Sequence, residues 1–123
     1  MSGSDRALAG IGALCGILGI ALSALAAHHV SGAQLDTAAR FLLAHAPALL
    51  GVAALSHGGV LRPGLARAGG LLLAIGLVLF CGDLARRAFE GVRLAPYAAP
   101  AGGFTLMTGW LLCLVAAVVP HPR

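Results

Sequence analysis

The hydrophobic positions of this chain form four long runs, separated by short stretches that hold most of the charged residues. A helix needs about 20 apolar residues to cross a bilayer. The runs predict transmembrane helices over residues 7–28, 38–59, 64–87 and 99–119. Short connections force neighbouring helices to run antiparallel. The pattern therefore predicts an all-α fold, a four-helix transmembrane bundle with up-down-up-down topology, in which residues 1–123 form a single integral membrane domain.

The composition also predicts that this chain is embedded in a lipid bilayer, which is therefore its first expected partner. Hydrophobic residues make up 59% of the sequence and charged residues only 10%, whereas about 25% of a soluble domain is charged. The net charge of +4 comes from arginines at the ends of the apolar runs, which is typical of membrane helices. Nucleic-acid binding is therefore not predicted. Arginines divide four against four between the two membrane sides, so their count leaves the orientation open.

Small residues follow one stripe of the first helix, at Gly12, Gly16, Gly19 and Ser23. Such a small-xxx-small pattern lets helix backbones approach closely in lipid. Two interpretations remain open, namely packing against another helix of the same bundle and a homodimer face. A cleavable signal peptide is an alternative for this run, since residues 24–26 resemble a cleavage site, although its apolar core is longer than usual.

Polar residues gather at one end of the predicted bundle, where the first and third helices end and the second and fourth begin. At about 1.5 Å per residue, the side chains on neighbouring helices reach similar depths there. A charge at that depth is costly unless it is paired or hydrated. The candidate polar cluster consists of His28, Arg40, His45, Asp83, Arg86 and Arg87.

Asp83 is predicted to face the bundle interior and to pair with an arginine. Arg86 and Arg87 follow at helical spacing and offer a local pair, whereas Arg40 offers an interhelical one. An unpaired functional acid is the third possibility. The second helix is expected to begin at an N-cap of Asp36 or Thr37.

His45 is the deepest titratable residue, and Pro47 removes a helical hydrogen bond close to it. One interpretation is a neutral histidine bonded to the helix backbone or to a neighbouring helix. A proton relay or ligand contact is another, and haem ligation together with His28 or His29 is a third. Trp110 lies midway along the fourth helix, where it is expected to pack against a glycine-rich helix.

Catalytic motifs are missing from the sequence. It has no GxSxG, HExxH, Walker or Rossmann pattern, and its three cysteines are scattered singly through different apolar runs. These features predict no catalytic residues, no metal site, no cofactor and no enzymatic activity.

Several segments, in order, resemble the small membrane proteins called domain of unknown function 423 or uncharacterised protein family 0382, to which transmembrane protein 256 of eukaryotes is similar. The similarity covers nearly the whole chain. It rests on the segments Ala26-Ala27-His28, Thr37 to Phe41, His45 to Leu50, Cys81 to Leu84, Pro100 to Gly103 and Gly109-Trp110. Phe41, Leu42 and Pro47 stand where the family usually has Tyr, Gln and Leu.

The resemblance implies a four-helix protein of the bacterial inner membrane, and it points to His28, Arg40, His45 and Asp83. We expect a non-enzymatic accessory or structural component, with another membrane protein or a second copy as partner. A small transporter or proton-conducting element that uses the Arg/His/Asp cluster is one alternative. A haem- or quinone-binding redox subunit is the other.

Overall fold

Four long helices make up the described part of the protein. A computed structural model describes residues 2–28 and 32–119, and within them the helices are α1 (Gly3–His28), α2 (Ala33–His57), α3 (Pro63–Glu90) and α4 (Ala98–Val118), with no strand. Each helix is long and apolar enough to cross a membrane. The predicted fold class, an all-α transmembrane bundle, is confirmed.

The helices pack as two antiparallel hairpins joined along their inner members. α1 packs mainly against α2, α4 mainly against α3, and the contact between α2 and α3 holds the hairpins together. The outer helices present large apolar side chains, such as Ile17 and Leu114, at the surface. In a bilayer these side chains face lipid, as the excess of apolar residues requires.

Helix boundaries follow local chemistry and differ from the sequence prediction mainly at α2. The structure begins α2 at Ala33, five residues before the predicted start, with Gly32 as N-cap instead of Asp36 or Thr37. Asp36 lies in the first turn, where its charge complements the helix dipole. Pro63 opens α3, because its missing N–H is not needed there. Gly91 ends α3 in the left-handed conformation, with φ of 72°.

Glycines bring α3 and α4 into direct backbone contact. A Cβ atom at Gly69 would lie 2.9 Å from the carbonyl oxygen of Gly109, and one at Gly109 would lie 2.9 Å from that of Gly69. Gly76 and Gly102 form a second reciprocal contact of this kind, with distances of 3.0 and 2.9 Å. Only hydrogen fits at these four positions, so the glycines determine how closely the second hairpin closes.

The stripe on α1 packs within the same chain. A Cβ atom at Gly12 would meet the Ala46 carbonyl oxygen of α2 at 2.8 Å, and one at Gly19 would meet the Leu43 side chain at 2.7 Å. Gly16 is less crowded, since its nearest neighbour would be Ala46 Cβ at 3.8 Å. This part of the stripe is therefore occupied by α2, as the first of the two interpretations requires.

Candidate functional site

His45 of α2 contacts Trp110 of α4 in the middle of the bundle. The two helices are not consecutive in the chain, since α3 lies between them. His45 is the central residue of α2 and is 7% exposed. The indole Nε1 of Trp110 on α4 donates to His45 Nε2 at 3.1 Å, and His45 Nδ1 lies 2.7 Å from the carbonyl oxygen of Phe41. Both ring nitrogens of the histidine are therefore engaged within the chain.

The partners of His45 determine its protonation state. An indole N–H can only donate, so Nε2 must accept and cannot carry the proton. Nδ1 then carries it and donates to the Phe41 carbonyl oxygen, and the imidazole is neutral. A neutral ring avoids the cost of placing a charge at mid-bilayer. In this arrangement no lone pair of His45 is left for a metal or haem iron, and no acceptor is left for a relayed proton.

Aromatic rings extend this contact across three helices. The ring of Phe41 lies parallel to the His45 imidazole, with centroids 6.0 Å apart, and also contacts Phe80 of α3 at 4.5 Å. The Trp110 and His45 rings are 5.6 Å apart. The row of Phe80, Phe41, His45 and Trp110 therefore links α2, α3 and α4.

Trp110 is the partner that the sequence analysis missed, since it assigned this residue a packing role only. A signal for it was present. A tryptophan at mid-helix in lipid needs an acceptor for its N–H, and His45 is the deepest titratable residue of the second run. Two polar groups inside the membrane on the parallel helices α2 and α4 indicate a candidate pair.

Asp83 is fully buried and ties the connection after α3 back to the helix. Its Oδ1 accepts the backbone N–H of Leu94 at 2.8 Å, and its Oδ2 lies 2.8 Å from a terminal nitrogen of Arg87. The second contact is an ion pair without hydrogen-bond geometry. Of the arginines considered as partners from the sequence, Arg87 is the one that the structure places beside Asp83.

The remaining arginines of the predicted cluster have other partners. Arg40 Nε donates to Asp36 at 2.8 Å on the surface of α2, where the Arg40 side chain is 78% exposed. Arg86 Nε donates to Glu90 at 3.1 Å. The interhelical pair between Arg40 and Asp83, one of the alternatives left open by the sequence, is not formed, because each arginine is paired with an acid one helical turn away.

The six predicted residues thus share one half of the molecule without forming a single site. His28 lies at the exposed end of α1, and His29 lies outside the described residues. His45 belongs to the aromatic row, Asp83 and Arg87 hold the α3–α4 connection, and Arg40 and Arg86 form separate surface pairs. Among the described residues, no group of three histidine, cysteine or acidic side chains is placed to hold a metal ion.

Asp5 and Arg67 form a second buried ion pair, at the opposite end of the bundle. Arg67 Nε and a terminal nitrogen each donate to one carboxylate oxygen of Asp5, both at 3.0 Å. The Asp5 side chain is fully buried and that of Arg67 is 35% exposed. This bidentate geometry fastens α1 to α3. This pair was not among the contacts predicted from the sequence.

Comparisons with known proteins identify relatives for most of this chain. A model of the family described as "Protein of unknown function (DUF423)" matches residues 22–103, which include every member of the predicted polar cluster. UPF0382 inner membrane protein YgdD of Escherichia coli K12 is 42% identical over 48 residues, covering 39% of this chain and 37% of that protein. The proteins of the same name from E. coli O157:H7 and Shigella flexneri match over the same extent. The matched segment thus spans less than half of these relatives, and no solved structure matches the chain.

Proposed function

The chain belongs to the DUF423 family, a group of proteins of unknown function with relatives in the bacterial inner membrane, and we propose that it serves without catalysis as an accessory or structural component of a membrane assembly. The protein itself is a multi-pass integral membrane protein, and its described residues include four helices that are long and apolar enough to span a bilayer. The proposal concerns what these helices do in the membrane.

The observation that carries this proposal is the state of the buried polar groups. His45 is bonded to Phe41 and Trp110, Asp83 to the Leu94 N–H, and Asp5 to Arg67. In the described part of the chain, the buried side-chain atoms without a hydrogen bond are Ser56 Oγ and two atoms of the Asp83–Arg87 ion pair. Polar groups bonded in this way stabilise one helix arrangement, which supports a structural role for them.

The spacing of the ionisable groups also favours this proposal over conduction. A proton pathway needs a chain of titratable groups or waters across the membrane. Arg40 pairs with Asp36 at the surface, and Asp83 accepts a hydrogen bond from the α3–α4 connection. His45 accepts a hydrogen bond from the indole of Trp110. The groups between these levels are apolar side chains of the core, such as Leu42 and Leu77.

Site-specific photo-crosslinking tests this proposal in intact membranes. A benzophenone amino acid replaces one exposed apolar residue on each helix: Ile20, Leu50, Val78 or Leu111. We expect one helix face to give a protein adduct of defined mass, and the other faces to give lipid adducts. The unsubstituted protein, irradiated in the same membranes, is the control for adducts that do not depend on the benzophenone.

Two results would contradict the proposal. The first is lipid adducts alone at all four positions, together with a protein that purifies without partners in mild detergent. The second is proton or solute flux in proteoliposomes that disappears when His45 and Asp83 are replaced. The second result would restore the interpretation as a conducting element.

A further inference from the structure

α4 is the shortest of the four described helices, and its length matches the membrane closely. Its 21 residues span about 31 Å, whereas the hydrocarbon core of a bilayer is about 30 Å thick. A helix end inside that core would leave backbone groups without hydrogen bonds. Both ends of α4 must therefore lie near the edges of the hydrocarbon core, and Ala98, its first residue, marks one of these edges.

α3 extends past this edge of the hydrocarbon core. Gly102 of α4 packs against Gly76 of α3. Because the two helices are antiparallel, Ala98, four residues before Gly102, lies about level with residues 80–82 of α3. α3 ends at Glu90, which is about 12–15 Å farther along the helix.

Charged residues of this end of the bundle begin at the same edge. On α3, Asp83 is the first of them. On α2, the carbonyl oxygen of Ala38 lies 3.5 Å from Cys81 Sγ and accepts its S–H. Asp36 and Arg40 lie two residues to either side of Ala38 and are therefore near this level too. The apolar part of the bundle thus ends where α4 begins.

The connection between α3 and α4 returns to this edge and then follows it. It leaves α3 at Gly91, and at Leu94 it is again beside Asp83, which accepts the Leu94 N–H at 2.8 Å. α4 begins directly after Tyr97. Residues 94–97 therefore lie at nearly one depth, where the headgroup layer adds about 5–7 Å to each side of the hydrocarbon core.

The side chains of this segment suit the headgroup layer. Tyr97 is 76% exposed and Leu94 is 39% exposed. Arg93, just before them, is exposed and takes part in none of the ion pairs within residues 2–28 and 32–119. Tyrosine is enriched at the membrane–water interface, and arginine binds phosphate oxygens strongly. Exposed apolar, aromatic and cationic groups at this depth match lipid headgroups as their neighbours.

Tyr97 also has an unusual backbone conformation. Its φ is 63°, and in the part of the chain that the structure describes it is the one residue other than glycine with a positive φ. This left-handed conformation is strained for a residue with a Cβ atom, whereas glycine adopts it freely. A contact of the exposed ring outside the protein gives a reason for a tyrosine at this position.

We propose that residues 93–97 form an interfacial anchor that binds the phospholipid headgroup layer. The Tyr97 ring and Leu94 lie at the edge of the hydrocarbon, and Arg93 lies beside lipid phosphates. Asp83 is the positioning residue that holds this anchor at its depth through the Leu94 N–H. The inference is independent of the accessory role, because it concerns lipid and requires no protein partner.

Depth-dependent quenching of tryptophan fluorescence tests the anchor. Trp110 is the one tryptophan of the chain, so a Trp110→Phe background accepts a single new probe. The full-length protein is reconstituted in phosphatidylcholine vesicles that carry bromine either close to the headgroup or close to the chain end. We expect Tyr97→Trp to lose emission with the shallow bromine only and to be protected from iodide in the water. Leu111→Trp, at an exposed position inside α4, is the matched control and should lose emission with the deep bromine only.

Further substitutions in the Tyr97→Trp protein test the two contacts of the anchor. Asp83→Leu should make the probe accessible to iodide, whereas Asp83→Asn keeps an acceptor and should leave it protected. Arg93→Gln loses the phosphate contact and should also raise quenching by iodide. Arg86→Gln is its control, since Arg86 is paired on its own helix, and should not. An unchanged Leu111→Trp signal in the Asp83→Leu protein would show that the segment is released without unfolding of the bundle.

Three outcomes would overturn the proposal. Quenching of the Tyr97→Trp probe by iodide and by neither bromine would place the segment in water. Quenching by the deep bromine would place it inside the hydrocarbon core. Protection from all three quenchers would assign this surface to a second copy of the chain. If Asp83→Leu does not fold, the Tyr97→Trp and Arg93→Gln measurements decide alone.

Discussion

The close approach of α3 and α4 predicts that adjacent glycines of α4 respond in opposite directions to the same substitution. Gly102 faces α3, where an added Cβ atom would lie 2.6 Å from the backbone nitrogen of Phe80 and 2.9 Å from the carbonyl oxygen of Gly76. Gly103 has no neighbouring atom within 4 Å of such a Cβ. Gly102→Ala and Gly103→Ala therefore form a matched pair that differs only in what the methyl group meets.

The expected difference follows from the distances. Ordinary contacts between heavy atoms lie at about 3.5–4.0 Å, so the methyl group of the Gly102→Ala variant overlaps the α3 backbone by roughly 1 Å. Overpacking of this kind costs about 1–3 kcal/mol, and the upper part of that range applies because backbone atoms cannot rotate away. Both variants gain up to ~1 kcal/mol from the higher helix propensity of alanine. We expect Gly102→Ala to destabilise the bundle by about 2 kcal/mol and Gly103→Ala to stabilise it slightly.

The protein carries its own reporter for this measurement. Cys15 and Cys81 are buried and Cys113 is partly buried, and all three are free thiols. A thiol-reactive fluorescent dye therefore reports unfolding as a mild-detergent sample is heated. A Gly102→Ala variant that melts at or above the temperature of the Gly103→Ala variant would show that α3 and α4 do not pack through these glycines.

Three further outcomes test the polar contacts of the bundle by the same thermal assay. Trp110→Phe should lower stability by about 0.5–1.5 kcal/mol through loss of the hydrogen bond to His45. In a His45→Leu background the same substitution should cost no stability. An equal loss of stability in both backgrounds would argue against the bond. Asp83→Leu should cost about 1–2 kcal/mol because it leaves the partly buried Leu94 N–H without an acceptor, whereas Asp83→Asn keeps an acceptor and should cost about half as much. Equal effects would mean that the acceptor is unimportant. Arg40→Gln should change stability by less than ~0.5 kcal/mol, since its pair with a surface acid is exposed, and a larger loss would indicate a buried role.

Side-chain pairs within one helix could be predicted from the sequence, because helix geometry determines which residues lie side by side. Residues four positions apart lie on the same helix face, so the pairing of Asp83 with Arg87 was one of the stated alternatives. The same geometry explains the pair of Arg40 with Asp36. From the sequence, Arg40 was a candidate partner for Asp83 only, because equal depth on neighbouring helices does not say in which direction a side chain points.

Contacts between different helices could not be predicted from the sequence in the same way. Trp110 and His45 are far apart in sequence, as are Arg67 and Asp5, and each pair needs two helices rotated to face each other. The seven-residue spacing from Gly69 to Gly76 recurs from Gly102 to Gly109 and could have indicated a shared interface. The glycine stripe recognised in the sequence was instead the denser one on α1.

Length and hydrophobicity alone indicated the four membrane-spanning helices that the structure shows within residues 2–28 and 32–119, and their alternating direction, because a bilayer has a set thickness and short loops allow only antiparallel neighbours. Tertiary structure decided which face of each helix is turned inward. Helices that are apolar all round carry little amphipathic signal, so lipid accepts almost any rotation. The rotation is then chosen by close backbone contacts such as Gly102 with Gly76 and by the few polar groups, such as Asp5 and His45, that must find a partner inside the bundle.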